Sequence, residues 1–209
     1  MYPFFESIKV EDQKIFLLDL HQKRVDETYA HFGSLERIDL RQIFEKLSVD
    51  ENGLFKLRIS YDLQGNYEAK LLPYAISEID DFQLVVDDNL EYEYKSEKRD
   101  QFHYLKKKAS ADEIIIVKNG SITDTSFSNL LFLKNKVWYT PKTFLLNGVM
   151  RQHLLQNDKI QEADITLNTL REYSHFQLIN AMNDFDDMFI YPMSKIINLL
   201  SKILRSIYK

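Results

Sequence analysis

Ile122-Thr123-Asp124-Thr125-Ser126-Phe127-Ser128-Asn129-Leu130-Leu131-Phe132, then Tyr139-Thr140-Pro141, then Leu146-Asn147-Gly148-Val149-Met150-Arg151-Gln152, organise the second half of this chain. Leu130 to Leu133 and Val137 to Thr140 pair as a hairpin across Lys134-Asn135-Lys136. Gly148 to Gln156 reads as a helix that starts at a glycine. Just upstream, Ile114 to Val117 is a continuous β-branched run, the mark of a buried strand, and Lys118-Asn119-Gly120 turns the chain after it. Taken singly each piece has a plain reading: Asp124 caps a turn, Gly148 ends a strand.

Further out, Glu97 to Lys108 is expected to be a helix, with Lys106-Lys107-Lys108 as its solvated end near the negative pole of the helix dipole. Phe176 to Asn180 and Met188 to Tyr191 are expected strands. Ile196, Ile197, Leu199, Leu200, Ile203, Leu204 and Ile207 fit an amphipathic C-terminal helix. Towards the N-terminus, Phe4 to Val10 and Lys14 to Leu18 read as short strands joined at Glu11-Asp12-Gln13. From Leu17 the period turns helical, with Leu17, Leu20, His21, Arg24, Val25, Thr28 and Phe32 on one face. An arginine on that face is either a stem packed along the surface with its head in water or an anion ligand aimed inward. Asp39 to Leu47 is a second helix. Phe55, Leu57, Ile59 and Tyr61 alternate with polar residues as a strand does, and Gln64-Gly65-Asn66 turns into another at Tyr67 to Leu72. Phe82 to Val86 is a further strand, after a linker near Ser77 to Asp81. The pattern predicts an α/β (α+β) fold with a small domain over 1–80 and a larger one over 81–209.

Composition narrows the function. The 209 residues carry 27 Lys plus Arg against 32 Asp plus Glu, a net charge of −5, which argues against a nucleic-acid binder. There is no cysteine, so disulfides, thiol nucleophiles and cysteine-bound metals are excluded. The five histidines, His21, His31, His103, His153 and His175, never pair at a spacing of three or four, and no metal site is expected. No phosphate loop, dinucleotide fingerprint or Gly-x-Ser-x-Gly elbow occurs. No signal peptide and no membrane span is expected, which is compatible with the cytoplasm.

In order and spacing, these stretches resemble the class IV aminotransferase family, the fold-type IV enzymes that use pyridoxal 5′-phosphate. Phe5-Glu6-Ser7 is similar to its Phe-Glu-Thr segment, and Leu17 to Arg24 to its Leu-x-x-His-x-x-Arg helix. The chain starts almost at the first of these, so the resemblance implies a two-domain enzyme with a shortened N-terminal part. It implies Lys95, in Tyr94-Lys95-Ser96, as the Schiff-base lysine in the larger domain, activated by a cationic neighbourhood that Lys98 and Arg99 would supply. Asp124 matches the family's usual glutamate facing the pyridine nitrogen, one methylene shorter. Arg24 resembles the phosphate-binding arginine, whose five-donor fork suits a phosphate. Gly148, Val149 and Met150 open a helix whose N–H groups and dipole suit an anion. Asn180 and Ala181 match a second phosphate loop, and Asn180-Ala181-Met182 falls on the lyase side of the family. Asn129 belongs to the cofactor site or only stabilises its loop. Arg151 touches substrate or pairs with a carboxylate.

The branch implied is that of aminodeoxychorismate lyase, with Ser7 in the threonine position as proton donor. Asp100 stands where a transaminase would show tyrosine, five positions after the lysine. A class IV transaminase and a non-catalytic relative are the alternatives. A homodimer acting on a small molecule is implied.

Overall fold

The computed structural model describes residues 2–47, 49, 52–185 and 189–201. They fall into two compact units, residues 1–76 with 94–98, and residues 77–93 with 99–209.

In the first unit, β1 (Phe4–Glu11) and β2 (Lys14–Ile15) form a hairpin. Its two-residue turn, Asp12 and Gln13, lies in the left-handed region at φ 47° and 67°, the twist that a tight hairpin requires. Helix α1 (Leu18–His31) follows, then α2 (Leu40–Glu45), whose N-cap Asp39 accepts the Gln42 N–H at 3.0 Å. Strands β3 (Leu54–Tyr61) and β4 (Tyr67–Pro73) complete an antiparallel sheet in the order β2-β1-β3-β4. β3 buries Phe55, Leu57, Ile59 and Tyr61, as its alternation predicts. These meet Ile8 and Val10 of β1 and Val25 and Tyr29 of α1 in one core. Each such side chain contributes roughly 1.5–3 kcal/mol of burial. The inward face of α1 is Leu18, His21, Arg24, Val25, Thr28 and Tyr29. Phe32, expected on it, is 47% exposed, because the helix has ended and Phe32 is already its C-cap.

The first unit also captures a later segment. β2 pairs only with the end of β1, at Val10 and Glu11, and Tyr94–Lys98 runs beside the start of β1. Phe5 N–H donates to the Lys95 carbonyl at 3.0 Å, Glu97 N–H donates to Pro3 at 2.9 Å, and Phe4 bridges Ser96. Two sequence expectations are corrected by this pairing. Lys95 belongs to the first unit, not to a domain spanning 81–209. The helix expected from Glu97 begins only at Asp100.

The second unit opens with β5 (Phe82–Val86), helix α3 (Asp100–Lys108) and β6 (Glu113–Lys118), with β5 and β6 parallel. β7 (Ser121–Thr125), β8 (Asn129–Lys134) and β9 (Val137–Pro141) continue antiparallel. Helix α4 (Val149–Gln156) leads to β10 (Gln161–Ala163), parallel to β9. β11 (His175–Ile179) pairs with β8, and β12 (Ile190–Pro192) with β11. β7 and β10 carry no apolar alternation and were not expected as strands. Phe82, Ile115, Val117, Ile122, Leu130, Phe132 and Phe176 form the fully buried centre. Of the residues expected in a C-terminal helix, Ile196 packs into this core, while Ile203, Leu204 and Ile207 lie outside the described residues, as does Met188.

Candidate active site

β1 turns one apolar-face position over to a carboxylate. Phe4, Ile8 and Val10 enter the core on the side of α1, and Glu6 sits between them, fully buried. The three-residue spacing of His21 and Arg24 puts both on the turn of α1 that meets it. Arg24 donates twice, Nε to Glu6 Oε1 at 2.9 Å and Nη2 to Oε2 at 2.5 Å. His21 Nδ1 lies 2.6 Å from the same Oε2. Burial alone would push the Glu6 carboxyl up, but the Arg24 charge and the His21 bond outweigh it and hold it at about 2. Burial pushes His21 down, and the Arg24 and Lys95 charges add to that against the pull of Glu6. An ionised carboxylate only accepts, so Nδ1 carries the hydrogen and donates it. The buried Nε2 then presents a lone pair with no hydrogen-bond partner among the described residues. Arg24 is therefore aimed inward, and its first partner is a carboxylate that sequence reasoning missed. The signal was present: a glutamate at the i+2 position of an otherwise apolar strand face.

Lys95 Nζ lies 4.8 Å from the centroid of the Phe5 ring, and the Arg58 guanidinium lies 4.1 Å from it. Arg58 also pairs with Glu97. Ser7 shares the strand face of Phe5 and stands opposite Arg58 in the β1–β3 register. Tyr94 packs on His31 and Phe32, with ring centroids 4.5 and 5.3 Å away.

In the second unit, Asp124 pairs with Asn129 across β7–β8, and Asn129 pairs with Ile179 across β8–β11. Asp124, Asn129 and Asn180 thus stand at one end of three adjacent strands. Asp124 Oδ2 accepts the N–H groups of Leu145 at 2.6 Å and Leu146 at 3.1 Å. Its Oδ1 accepts from Asn129 Nδ2 at 2.6 Å, and the same amide donates to the Leu146 carbonyl at 2.9 Å. Burial pushes the Asp124 carboxyl up to about 6 against these donors. Gly148 is the N-cap of α4, at φ −64° and ψ 147°, and no side chain caps the helix. Val149 and Met150 form its buried first turn.

Asn180 Oδ1 accepts the N–H groups of Met182 and Asn183 at 2.8 and 3.0 Å, which folds Asn180-Ala181-Met182 into a turn. Asn180 Nδ2 reaches Ser128 Oγ at 2.8 Å. The 125–128 turn is gripped by charge at both the N–H and the carbonyl of one residue. The Ser126 N–H donates to buried Glu113 at 2.9 Å, and Arg99 Nη2 donates to the Ser126 carbonyl at 2.5 Å. Arg99 is thus anchored within the second unit, on the Ser126 carbonyl. Arg151 is buried and donates to Asn147 Oδ1, the Pro141 carbonyl and Glu162 at 3.1, 3.0 and 2.5 Å. Among the described residues no group of three or more His, Asp or Glu could hold a metal, and no helix is long and apolar enough to cross a membrane.

The family model described as "Amino-transferase class IV" matches residues 3–185. A protein of Haemophilus influenzae described as uncharacterized is 34% identical over 187 residues, which is 88% of this chain and 99% of that protein. Among solved structures, the "putative 4-amino-4-deoxychorismate lyase" of Haemophilus somnus is 33% identical with a TM-score of 0.83, over 88% of this chain and 98% of its own. The 4-amino-4-deoxychorismate lyase of Pseudomonas aeruginosa, at 18% identity and a TM-score of 0.67 over 91% of this chain and 82% of its own, shares the fold.

Proposed function

Because the chain belongs to the class IV aminotransferase family, we propose that it is a pyridoxal-phosphate-dependent lyase converting 4-amino-4-deoxychorismate to 4-aminobenzoate and pyruvate. The observation that carries this reading is the 33% identity, over 88% of the chain, to the Haemophilus somnus protein described by that activity. Asn180-Ala181-Met182 and Asp100 support the lyase branch over a transaminase.

The residues fit the cofactor by the chemistry of their donors. The first unit offers a primary amine at Lys95 and a buried guanidinium at Arg24. The second offers a buried carboxylate at Asp124, steadied by Asn129, a helix N-terminus at Gly148-Val149-Met150 with no side-chain cap, and the Asn180-Ala181 turn. In the second unit, the α4 N-terminus and the Asn180 turn would hold a phosphate and Asp124 a ring nitrogen; in the first, Arg24 would serve as an anion ligand. Bound there, pyridoxal 5′-phosphate supplies an electrophilic carbonyl and an electron sink.

Lys95 Nζ would hold that carbonyl until the substrate amine replaces it, and its free amine would then serve as the base for the proton on the carbon bearing that amine. The ring then becomes aromatic as pyruvate leaves. The Ser7 hydroxyl gives a proton to the departing enol. A homodimer belongs to the same proposal, and a light-scattering mass of twice the chain tests it.

The decisive experiment mixes purified protein with pyridoxal phosphate, reduces it with borohydride and maps the labelled peptide. Label on Lys95, with 4-aminobenzoate and pyruvate formed from aminodeoxychorismate and both lost in Lys95→Ala, is expected. Amino-group transfer to a 2-oxo acid with no aromatic product would replace the lyase by a transaminase. Folded protein that takes no label would leave a non-catalytic relative.

A further inference from the structure

The segment Phe144–Gly148 has neither helix nor strand of its own, yet it delivers the chain to the first turn of α4. Two of its consecutive N–H groups, Leu145 and Leu146, end on a single oxygen, Asp124 Oδ2. The carbonyl of Leu146 is taken by Asn129, whose amide is itself oriented by Asp124 Oδ1. Asn129 Oδ1 in turn closes on Gly148: a Cβ at that position would fall 2.1 Å from it. One buried carboxylate thus governs, directly or through Asn129, four contacts of the loop that sets where α4 begins.

We propose that Asp124 is the positioning residue of the anion cradle, fixing the loop 144–148 so that the uncapped first turn of α4 is preset for a phosphate group. This rests on the pyridoxal-phosphate reading above and adds to the role of Asp124 toward the ring. The argument turns on arm length. Asp124 reaches its two N–H donors at 2.6 and 3.1 Å. One further methylene moves the carboxylate by about 1.5 Å, into the Leu145–Leu146 backbone. Either the longer side chain turns away or the loop retreats, and both detach α4 from its anchor. A glutamate keeps the charge and loses the loop. An asparagine loses the charge and keeps an oxygen for the loop.

The test compares wild type, Asp124→Glu and Asp124→Asn in two readouts. The first is the ratio of dissociation constants for pyridoxal and pyridoxal phosphate, which isolates the phosphate and is insensitive to a general loss of stability. The second is hydrogen exchange at the Leu145 and Leu146 amides in cofactor-free protein. Asp124→Glu is expected to lower the preference for the phosphate ester about tenfold, the loss of about one hydrogen bond to a charged group, and to speed both amides. Asp124→Asn is expected to weaken both ligands while changing their ratio less. An unchanged ratio in Asp124→Glu overturns the proposal, whether or not the amides exchange faster. If wild type binds neither ligand, the cofactor reading fails by itself, and slow exchange at the two amides that Asp124→Glu does not speed overturns the anchoring as well.

Discussion

Asn129 Oδ1 occupies the space where a side chain at Gly148 would start, 2.1 Å from an ideal Cβ. Backbone conformation is not the reason for glycine here, since φ −64° and ψ 147° suit any residue. The reason is the Asn129 amide, which cannot swing aside without leaving Asp124 and the Leu146 carbonyl. Gly148→Ala is expected to cost about 1–3 kcal/mol. In an Asn129→Ala background the same change is expected to cost little, because the obstruction is gone. Urea unfolding of the four proteins of this double-mutant cycle measures the coupling. Additive effects would show that the contact is not what excludes a side chain.

The Glu6–Arg24–His21 cluster gives the first unit an acid limb. Glu6 is held at about 2, against about 4.3 in an unfolded chain. Its contribution, roughly 3 kcal/mol, is complete above the unfolded value and drains away as pH falls toward 2. His21 is also held down, so protonation favours the unfolded chain as pH drops below about 6.5. Both groups weaken the fold in acid. Glu6→Gln is expected to cost about 3–5 kcal/mol near neutrality, where it removes the carboxylate charge paired with buried Arg24. It is also expected to flatten the limb below pH 4.3. Unfolding curves for the two proteins should converge as pH falls, and curves that stay parallel would refute the pairing.

Local signals carried much of the fold. The alternation of Phe55, Leu57, Ile59 and Tyr61, and the turn residues between β8 and β9, depend on near neighbours and were legible in the sequence. What escaped depends on partners distant in sequence. Tyr94–Lys98 has no strand pattern, and it becomes an edge only because β2 is too short to cover the start of β1. β7 reads as a polar stretch, since Thr123 and Asp124 are buried by hydrogen bonds rather than by apolar packing. In the candidate site, residue types at the right spacing marked Arg24, Asp124 and Gly148. Glu6 was passed over because a single carboxylate in an apolar strand declares its purpose only when the helix carrying Arg24 is packed against it.

Arg151 distinguishes a loop clamp from a substrate contact. Its fork spans the Pro141 carbonyl, Asn147 and Glu162 while lying 4.7 Å over the Phe144 ring. A lysine has a single head and cannot bridge the two ends of that loop. Arg151→Lys is expected to destabilise cofactor-free protein by roughly 2–3 kcal/mol, lowering Tm by roughly 5–10 °C. Calorimetry without ligand checks it. An unchanged Tm with altered turnover would assign Arg151 to the substrate instead.

Asp124 imposes a pH dependence of the opposite sign. Its carboxyl is raised to about 6 by burial, against about 3.9 unfolded. The native state therefore holds a proton that the unfolded chain has already released. Its contribution is whole below about pH 3.9 and is lost as pH climbs through 6, a change of roughly 3 kcal/mol. The acid limb of Glu6 and His21 overlaps this window, so the raw stability curve mixes both. The difference between wild type and Asp124→Asn separates them. Without cofactor, the stability of the variant relative to wild type is expected to rise by roughly 3 kcal/mol between pH 4 and pH 7 and to level off above. Denaturant unfolding at half-unit intervals resolves that step. A flat difference would mean that the Leu145, Leu146 and Asn129 donors compensate burial fully, and that Asp124 is ionised before any ligand arrives.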